Sequence, residues 1–182
     1  MIATSLTELP GVMIVEPRIF ADERGRFVET YREDAYREIG IAVAFVQDNF
    51  SSSIRGTLRG LHFQLAHPQG KLVMVTRGEI FDVAVDIRRG SPTFRRWVGI
   101  RLSAASARQI WIPPGFAHGF AALSETADVV YKVTAPYVGD DQHGVIWNDR
   151  ELGITWPIEE PLLSPRDRIA PSLACAQLPE MT

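Results

Sequence analysis

In Gly78-Glu79-Ile80-Phe81-Asp82-Val83-Ala84-Val85-Asp86-Ile87 residue type alternates with period two: Phe81, Val83, Val85 and Ile87 fall on one face, Asp82 and Asp86 on the other. Only an extended chain separates side chains in this way, so the segment predicts a strand. Similar short strands are expected at 72–76, 97–102, 109–112 and 128–134, divided by turn chemistry such as Arg89-Gly90-Ser91-Pro92 and Pro113-Pro114-Gly115. One helical piece, 33–39 with Gly40 as its C-cap, is expected on the surface. So many short strands with so little helix predict an all-β sandwich or barrel, of which a jelly roll with a few short peripheral helices is favoured. A ligand would then sit in the barrel mouth.

The chain has 182 residues, 46% of them hydrophobic, enough to bury a full core, and shows no repeat, low-complexity stretch or linker. A single domain over 1–182 is expected. The net charge of −3 is small and the charges are interspersed, which argues against nucleic acid as a partner. Cys175 is the only cysteine, so no intrachain disulfide and no cysteine-based metal site can form, and a reducing, cytoplasmic setting fits best. The first ten residues lack an apolar h-region, and no run approaches the ~18 apolar residues of a membrane span. Neither export by a signal peptide nor membrane insertion is expected.

There is no Gly-x-Gly triplet and no Gly-Lys-Ser/Thr loop, so any phosphate must be held by side chains. His62, His67, His118 and His143 show none of the close spacings that gather ligands around one ion, and no metal is expected. In Arg59-Gly60-Leu61-His62-Phe63-Gln64 a cation and an imidazole interrupt an apolar run. Strict alternation puts Arg59 and His62 on opposite faces, but a bulge at Gly60 could re-aim one of them. His62 is thus either a satisfied core histidine or a site residue. Lys71 shares parity with Val73 and Val75: it is a solvated strand end, or it projects inward, where it could stabilise an oxyanion. Tyr131 alternates with Val129 and Val133 and is either a core phenol or a proton donor. Ser164-Pro165-Arg166-Asp167 reads as a helix start with Ser164 as N-cap, which alone would explain Asp167. His118, in Gly115-Phe116-Ala117-His118-Gly119-Phe120, is expected in a turn, exposed or touching ligand.

Taken in order, Asp22-Glu23-Arg24-Gly25, Gln47-Asp48-Asn49, Arg59-Gly60-Leu61-His62, Gly70-Lys71-Leu72-Val73, Phe81-Asp82-Val83-Ala84-Val85-Asp86, Ser91-Pro92-Thr93-Phe94, Pro114-Gly115-Phe116-Ala117-His118-Gly119-Phe120, Trp147-Asn148-Asp149 and Asp167 resemble the dTDP-4-dehydrorhamnose 3,5-epimerase family of the cupin superfold. The resemblance implies a jelly-roll barrel that inverts C3 and C5 of a dTDP-4-keto-6-deoxy sugar. It also implies no metal or redox cofactor, and a homodimer whose N-terminal segments help build the partner's site. By the same resemblance His62 is the proton-abstracting base, Asp167 its carboxylate partner, Tyr131 the proton donor and Lys71 the cation beside the C4 oxygen. Arg24, Glu29, Gln47, Asp48, Asn49, Arg59 and His118 would hold the nucleotide sugar, and Tyr137 would stack on the base. Three positions depart from the family's usual residues: Gln142 for glutamate, Arg166 for lysine and Phe63 for tyrosine. Gln142 and Arg166 would line the substrate site. The alternatives are a relative acting at one carbon only, or a nucleotide-sugar-binding cupin without catalysis.

Overall fold

The computed structural model describes residues 2–181. In chain order the elements are β1 (Ala3–Leu6), β2 (Met13–Glu16), β3 (Ile19–Asp22), β4 (Gly25–Val28), α1 (Glu33–Glu38), β5 (Gln47–Ile54), β6 (Leu58–Gln64), β7 (Lys71–Arg77) and β8 (Glu79–Asp86). Then follow β9 (Trp97–Ser103), β10 (Gln109–Ile112), β11 (Phe116–Ala122), β12 (Thr126–Val133), a single 3-10 turn at Gly139–Asp141, β13 (Gln142–Gly144) and α2 (Pro165–Arg168). Six strands form one sheet, in the order β1-β2-β10-β7-β12-β5, and five form the other, β13-β6-β11-β8-β9, while β3 and β4 make a separate hairpin. Every ladder within the two sheets is antiparallel. The fold is the jelly roll the alternation predicts. No helix among the described residues is long and apolar enough to cross a membrane.

Apolar side chains are buried in three layers. Between the sheets, Val73 and Val75 of β7, Val129 of β12, Ile80 and Ala84 of β8, and Phe116 and Phe120 of β11 form the barrel core. Behind the five-stranded sheet, Val83 and Val85 pack under the C-terminal segment through Val145, Leu152, Trp156 and Leu173. Behind the six-stranded sheet, Tyr36 of α1 and Ile41 cover Val15, Leu72 and Trp111. Helix α1 ends within a residue of its expected limit, but Tyr36 is wholly buried and bonds Gln109 Oε1 at 2.6 Å, so the helix is a packed lid.

On β8 both faces are interior, and Asp82 and Asp86, which share the face opposite the apolar one, are fully buried as well. Asp86 accepts from Arg88, Ser91 and Thr93 and so pins the turn after β8. Burial would raise its pKa, but those bonds win and lower it to about 2. His118, expected in a turn, lies in the middle of β11 with 6% exposure.

At Gly60, β6 and β11 approach so closely that only glycine fits. Its φ is +131°, and a Cβ there would lie 2.5 Å from Gly119 Cα. The register of the two strands shifts between His118 and Phe120. This irregularity accompanies the presence of both Arg59 and His62 at the same cleft, which strict alternation forbids. Gly60→Ala is expected to cost on the order of 4 kcal/mol from backbone strain and overpacking together. In a thermal melt that is a fall of about 10 °C; an unchanged midpoint would show that the strands can separate to admit the methyl group.

Candidate active site

A cleft of about 640 Å³ takes its wall from both sheets. Arg59 and His62 on β6 and His118 on β11 enter from the five-stranded sheet, and Asn49 on β5, Lys71 on β7 and Tyr131 on β12 from the other. His62 and His118 are direct cross-strand partners. Lys71 pairs with Val133 and Val73 with Tyr131, so Lys71 and Tyr131 are diagonal neighbours on one face. Of the two positions that parity left open for Lys71 the inward one is found: Lys71, Val73 and Val75 all point inward and are buried.

Asp167 reaches His62 from α2. The hydroxyl of Ser164 accepts the Asp167 backbone N–H at 3.1 Å, as a cap should, and this leaves the carboxylate free to bond elsewhere. Its Oδ1 lies 2.6 Å from His62 Nε2. Capping and pairing with the imidazole are thus both satisfied by one residue. Burial pushes the Asp167 pKa up, but the hydrogen bond and charge of His62 outweigh it and hold the carboxyl below its usual range. With Nε2–H donated to a carboxylate, the neutral ring keeps its lone pair on Nδ1. That nitrogen is the one able to take a proton.

Lys71 is buried, and desolvation lowers its pKa to about 8 against the opposing pull of Asp82. The Tyr131 phenol is pushed up by burial, with Arg59 opposing and Tyr137 reinforcing, so it remains protonated at neutral pH. Arg59 is held by Ser53 Oγ at 3.0 Å and the Ser52 carbonyl at 3.1 Å. At the rim the Tyr137 hydroxyl donates to Gln142 Oε1 at 2.7 Å, and Arg166 donates to the same oxygen at 3.3 Å and to the Gln142 carbonyl. Since Gln142 is neutral, Arg166 brings an uncompensated positive charge to this rim.

Not every sequence candidate is at the cleft. Gln47 stands behind the rim, bonding Asn49 and the Tyr137 backbone N–H. Asp48 is ion-paired with Lys132 on the exposed side of β5. Arg24 sits at the β3–β4 turn, paired with Asp22 and highly exposed. Glu29 accepts from Arg32 beside a separate cavity of about 430 Å³ that also contacts Phe20 and Phe27. Sequence reasoning missed two bracing residues. Gln64 ties the His67 and Pro136 carbonyls to the Val138 N–H, and Asp141 accepts the N–H groups of Leu65, Ala66 and His67. It also missed Asp82 beneath Lys71 and His118, whose only sequence signal was an acidic residue flanked by Phe81 and Val83 in the middle of β8. Among the described residues no group of three or more His, Cys, Asp or Glu is placed to hold a metal ion.

The model of the dTDP-4-dehydrorhamnose 3,5-epimerase family matches residues 6–175. The chain is 54% identical over 178 residues to a dTDP-4-dehydrorhamnose 3,5-epimerase of Pseudomonas aeruginosa, covering 97% of this chain and 98% of that one. It is 43% identical over 171 residues to a dTDP-4-dehydrorhamnose 3-epimerase of Streptomyces niveus, covering 93% and 83%. Among solved structures, it is similar to dTDP-6-deoxy-D-glucose-3,5-epimerase of Legionella pneumophila in complex with dTDP-4-keto-L-rhamnose, with a TM-score of 0.97, 48% identity and all of both chains covered.

Proposed function

The chain belongs to the dTDP-4-dehydrorhamnose 3,5-epimerase family and is an isomerase, and we propose that His62, Lys71, Tyr131 and Asp167 carry its reaction. The reaction converts dTDP-4-dehydro-6-deoxy-D-glucose to dTDP-4-dehydro-L-rhamnose by inverting C3 and C5. Both carbons flank the C4 ketone. A proton on such a carbon is weakly acidic, and its removal leaves an enolate whose charge must be stabilised as it forms.

The observation that carries this assignment is that His62 and Tyr131 enter one cleft from opposing sheets. Inversion requires a proton to leave one face of the sugar and another to arrive on the opposite face. Two proton-transfer groups on one strand could not straddle a ring in that way. His62 Nδ1 abstracts, with Asp167 fixing the tautomer and stabilising the imidazolium that results. Lys71 meets the developing C4 oxyanion, and Tyr131 donates on the other face. Arg59 offers the diphosphate a guanidinium fork. Asn49 and His118 hold the sugar nucleotide, and Tyr137 at the rim stacks on the base.

The positions of Arg24, Glu29 and Asp48, away from their own cleft, support a homodimer in which N-terminal segments complete the partner's site. Phe27 is 68% exposed and Phe20 48%, both on the hairpin that carries Arg24, while Phe50 on the outer face of β5 is also bare. An apolar surface of this kind fits burial against a second copy. Light scattering should return twice 20.3 kDa, and a particle of 20.3 kDa would contradict the shared site. Residues 1–182 act in this reading as one catalytic domain in the cytoplasm, working without a metal or redox cofactor.

The reading is tested by incubating the protein with dTDP-4-dehydro-6-deoxy-D-glucose and assigning product stereochemistry from proton NMR couplings. Inversion at both carbons is expected; inversion at C3 alone would make this chain a one-carbon epimerase. Tyr131→Phe separates the two proton transfers. It is expected to retain exchange of the abstracted proton with solvent while product formation falls by about 100-fold or more. Equal loss of exchange and inversion would remove Tyr131 from the donor role.

A further inference from the structure

Beneath the cleft three ionisable side chains from three strands converge: Lys71 on β7, Asp82 on β8 and His118 on β11. Asp82 is wholly buried, and its Oδ2 lies 2.9 Å from His118 Nε2. Its other oxygen, Oδ1, is also buried and has no hydrogen-bond partner. Lys71 forms no ion pair or side-chain hydrogen bond among the described residues, although it is 7% exposed and lines the cleft. A buried carboxylate oxygen with nothing to accept from is costly, and such groups persist where they serve a nearby charge.

We propose that Asp82 is a positioning residue for the epimerisation: its Oδ2 fixes His118 as the Nε2–H tautomer, and its unpartnered oxygen supplies the negative charge that keeps Lys71 an ammonium beneath the C4 oxygen. The inference rests on the role given to Lys71 above and deepens it. Two neighbouring contacts then have opposite polarity. Lys71 is only a donor and suits the ketone oxygen and the enolate; neutral His118 keeps a lone pair on Nδ1 and suits a sugar hydroxyl beside the ketone. One carboxylate thereby orients the ring, because a substrate turned the other way would set the ketone oxygen, an acceptor, against the His118 lone pair.

The surrounding charges agree with this division. Burial pushes the His118 pKa down; Asp82 opposes that, while Lys71 and His62 reinforce it, so the ring stays neutral although it touches a carboxylate. The other ionisable groups at the cleft are His62 and Arg59 from β6, Tyr131 from β12, Tyr137 and Arg166 at the rim, and Asp167 from α2. Strand β10 has no ionisable residue, and Arg101 of β9 is exposed and paired with Glu79.

The sign of the pH effect follows. Lys71 works as the ammonium, which is present below about 8 and lost as pH rises through that value. Removing the Asp82 charge makes the ammonium less favourable, so Asp82→Asn should move the alkaline limb of kcat/KM to lower pH by about one unit or more. Activity would then fall more at pH 8 than at pH 6. A limb that stays in place, with activity reduced equally at every pH, would overturn the charge-holding role. A second measurement needs no variant. In the wild-type protein at pH 7, nitrogen-15 correlation spectra of the His118 ring should show the neutral Nε2–H tautomer, and an Nδ1–H tautomer or an imidazolium would overturn the proposal. The tautomer is read without turnover, so its failure is distinguishable from failure of the reaction assignment, which the His62 variant tests.

Discussion

His62→Ala is expected to lower kcat by about 10²- to 10⁴-fold, the range that removal of a positioned general base produces. KM should change little, since the imidazole meets the reacting proton and contributes little to holding the nucleotide. Stability should fall as well, because the buried Asp167 carboxylate loses its imidazole partner, although the Ser164 cap on the Asp167 N–H stays in place. Circular dichroism and a thermal melt would establish the fold before kinetics are read. Asp167→Asn is the companion variant, because it keeps the shape but removes the charge that stabilises the imidazolium. Its loss should be smaller than that of His62→Ala; a larger loss would make Asp167, rather than His62, the group in contact with the reacting carbon.

Lys71→Met should lower kcat by about 10²- to 10³-fold, as loss of an oxyanion-stabilising group does elsewhere. Its effect on stability should have the opposite sign. Lys71 is buried with Val73 and Val75 beside it, and methionine keeps most of its volume without a charge to desolvate. Asp82 complicates the substitution, because it would lose the cation that balances it. A melting temperature that holds or rises while activity falls is the signature of a cation kept for chemistry at a cost to the fold. If activity survives, the enolate charge must be met elsewhere, with His118 as the remaining neighbour.

Strands β7 and β12 were legible in the sequence because each presents an apolar inner face on a strict period of two, and parity put Lys71 and Tyr131 in line with those apolar residues without deciding whether Lys71 was inward or solvated. Strand β11 was not, since all seven of its residues are buried and Phe-Ala-His-Gly-Phe-Ala-Ala offers no polar face to contrast with. Strand β5 reads the wrong way round: its inner positions Gln47, Asn49, Ser51 and Ser53 are polar, whereas Phe50 points outward. A strand lining a polar cleft on one side and, in the proposed dimer, a protein partner on the other inverts the usual pattern. The burial of Asp82 was not legible for a related reason, since alternation reports that two faces differ without saying which one is wet.

The site was less legible than the fold. Local pattern alone left His62, Lys71, Tyr131 and Asp167 each with an ordinary structural explanation, and the family resemblance brought them together. For Asp167 the helix start was read correctly, since Ser164 caps α2 by accepting the Asp167 N–H, but the carboxylate that a capping box would use bonds His62 instead. The register shift opposite Gly60, by contrast, involves a strand more than fifty residues away, which no reading of 59–64 by itself could supply.

The central claim is that His62 removes protons from both carbons flanking the ketone. Mass spectrometry of the product formed in D₂O tests it most directly. Wild-type protein should yield product carrying two deuterons, at C3 and C5, and His62→Ala substrate recovered after the same time should carry none. Deuterium entering either carbon at the wild-type rate in His62→Ala would contradict the account and assign the abstraction to another group in the cleft.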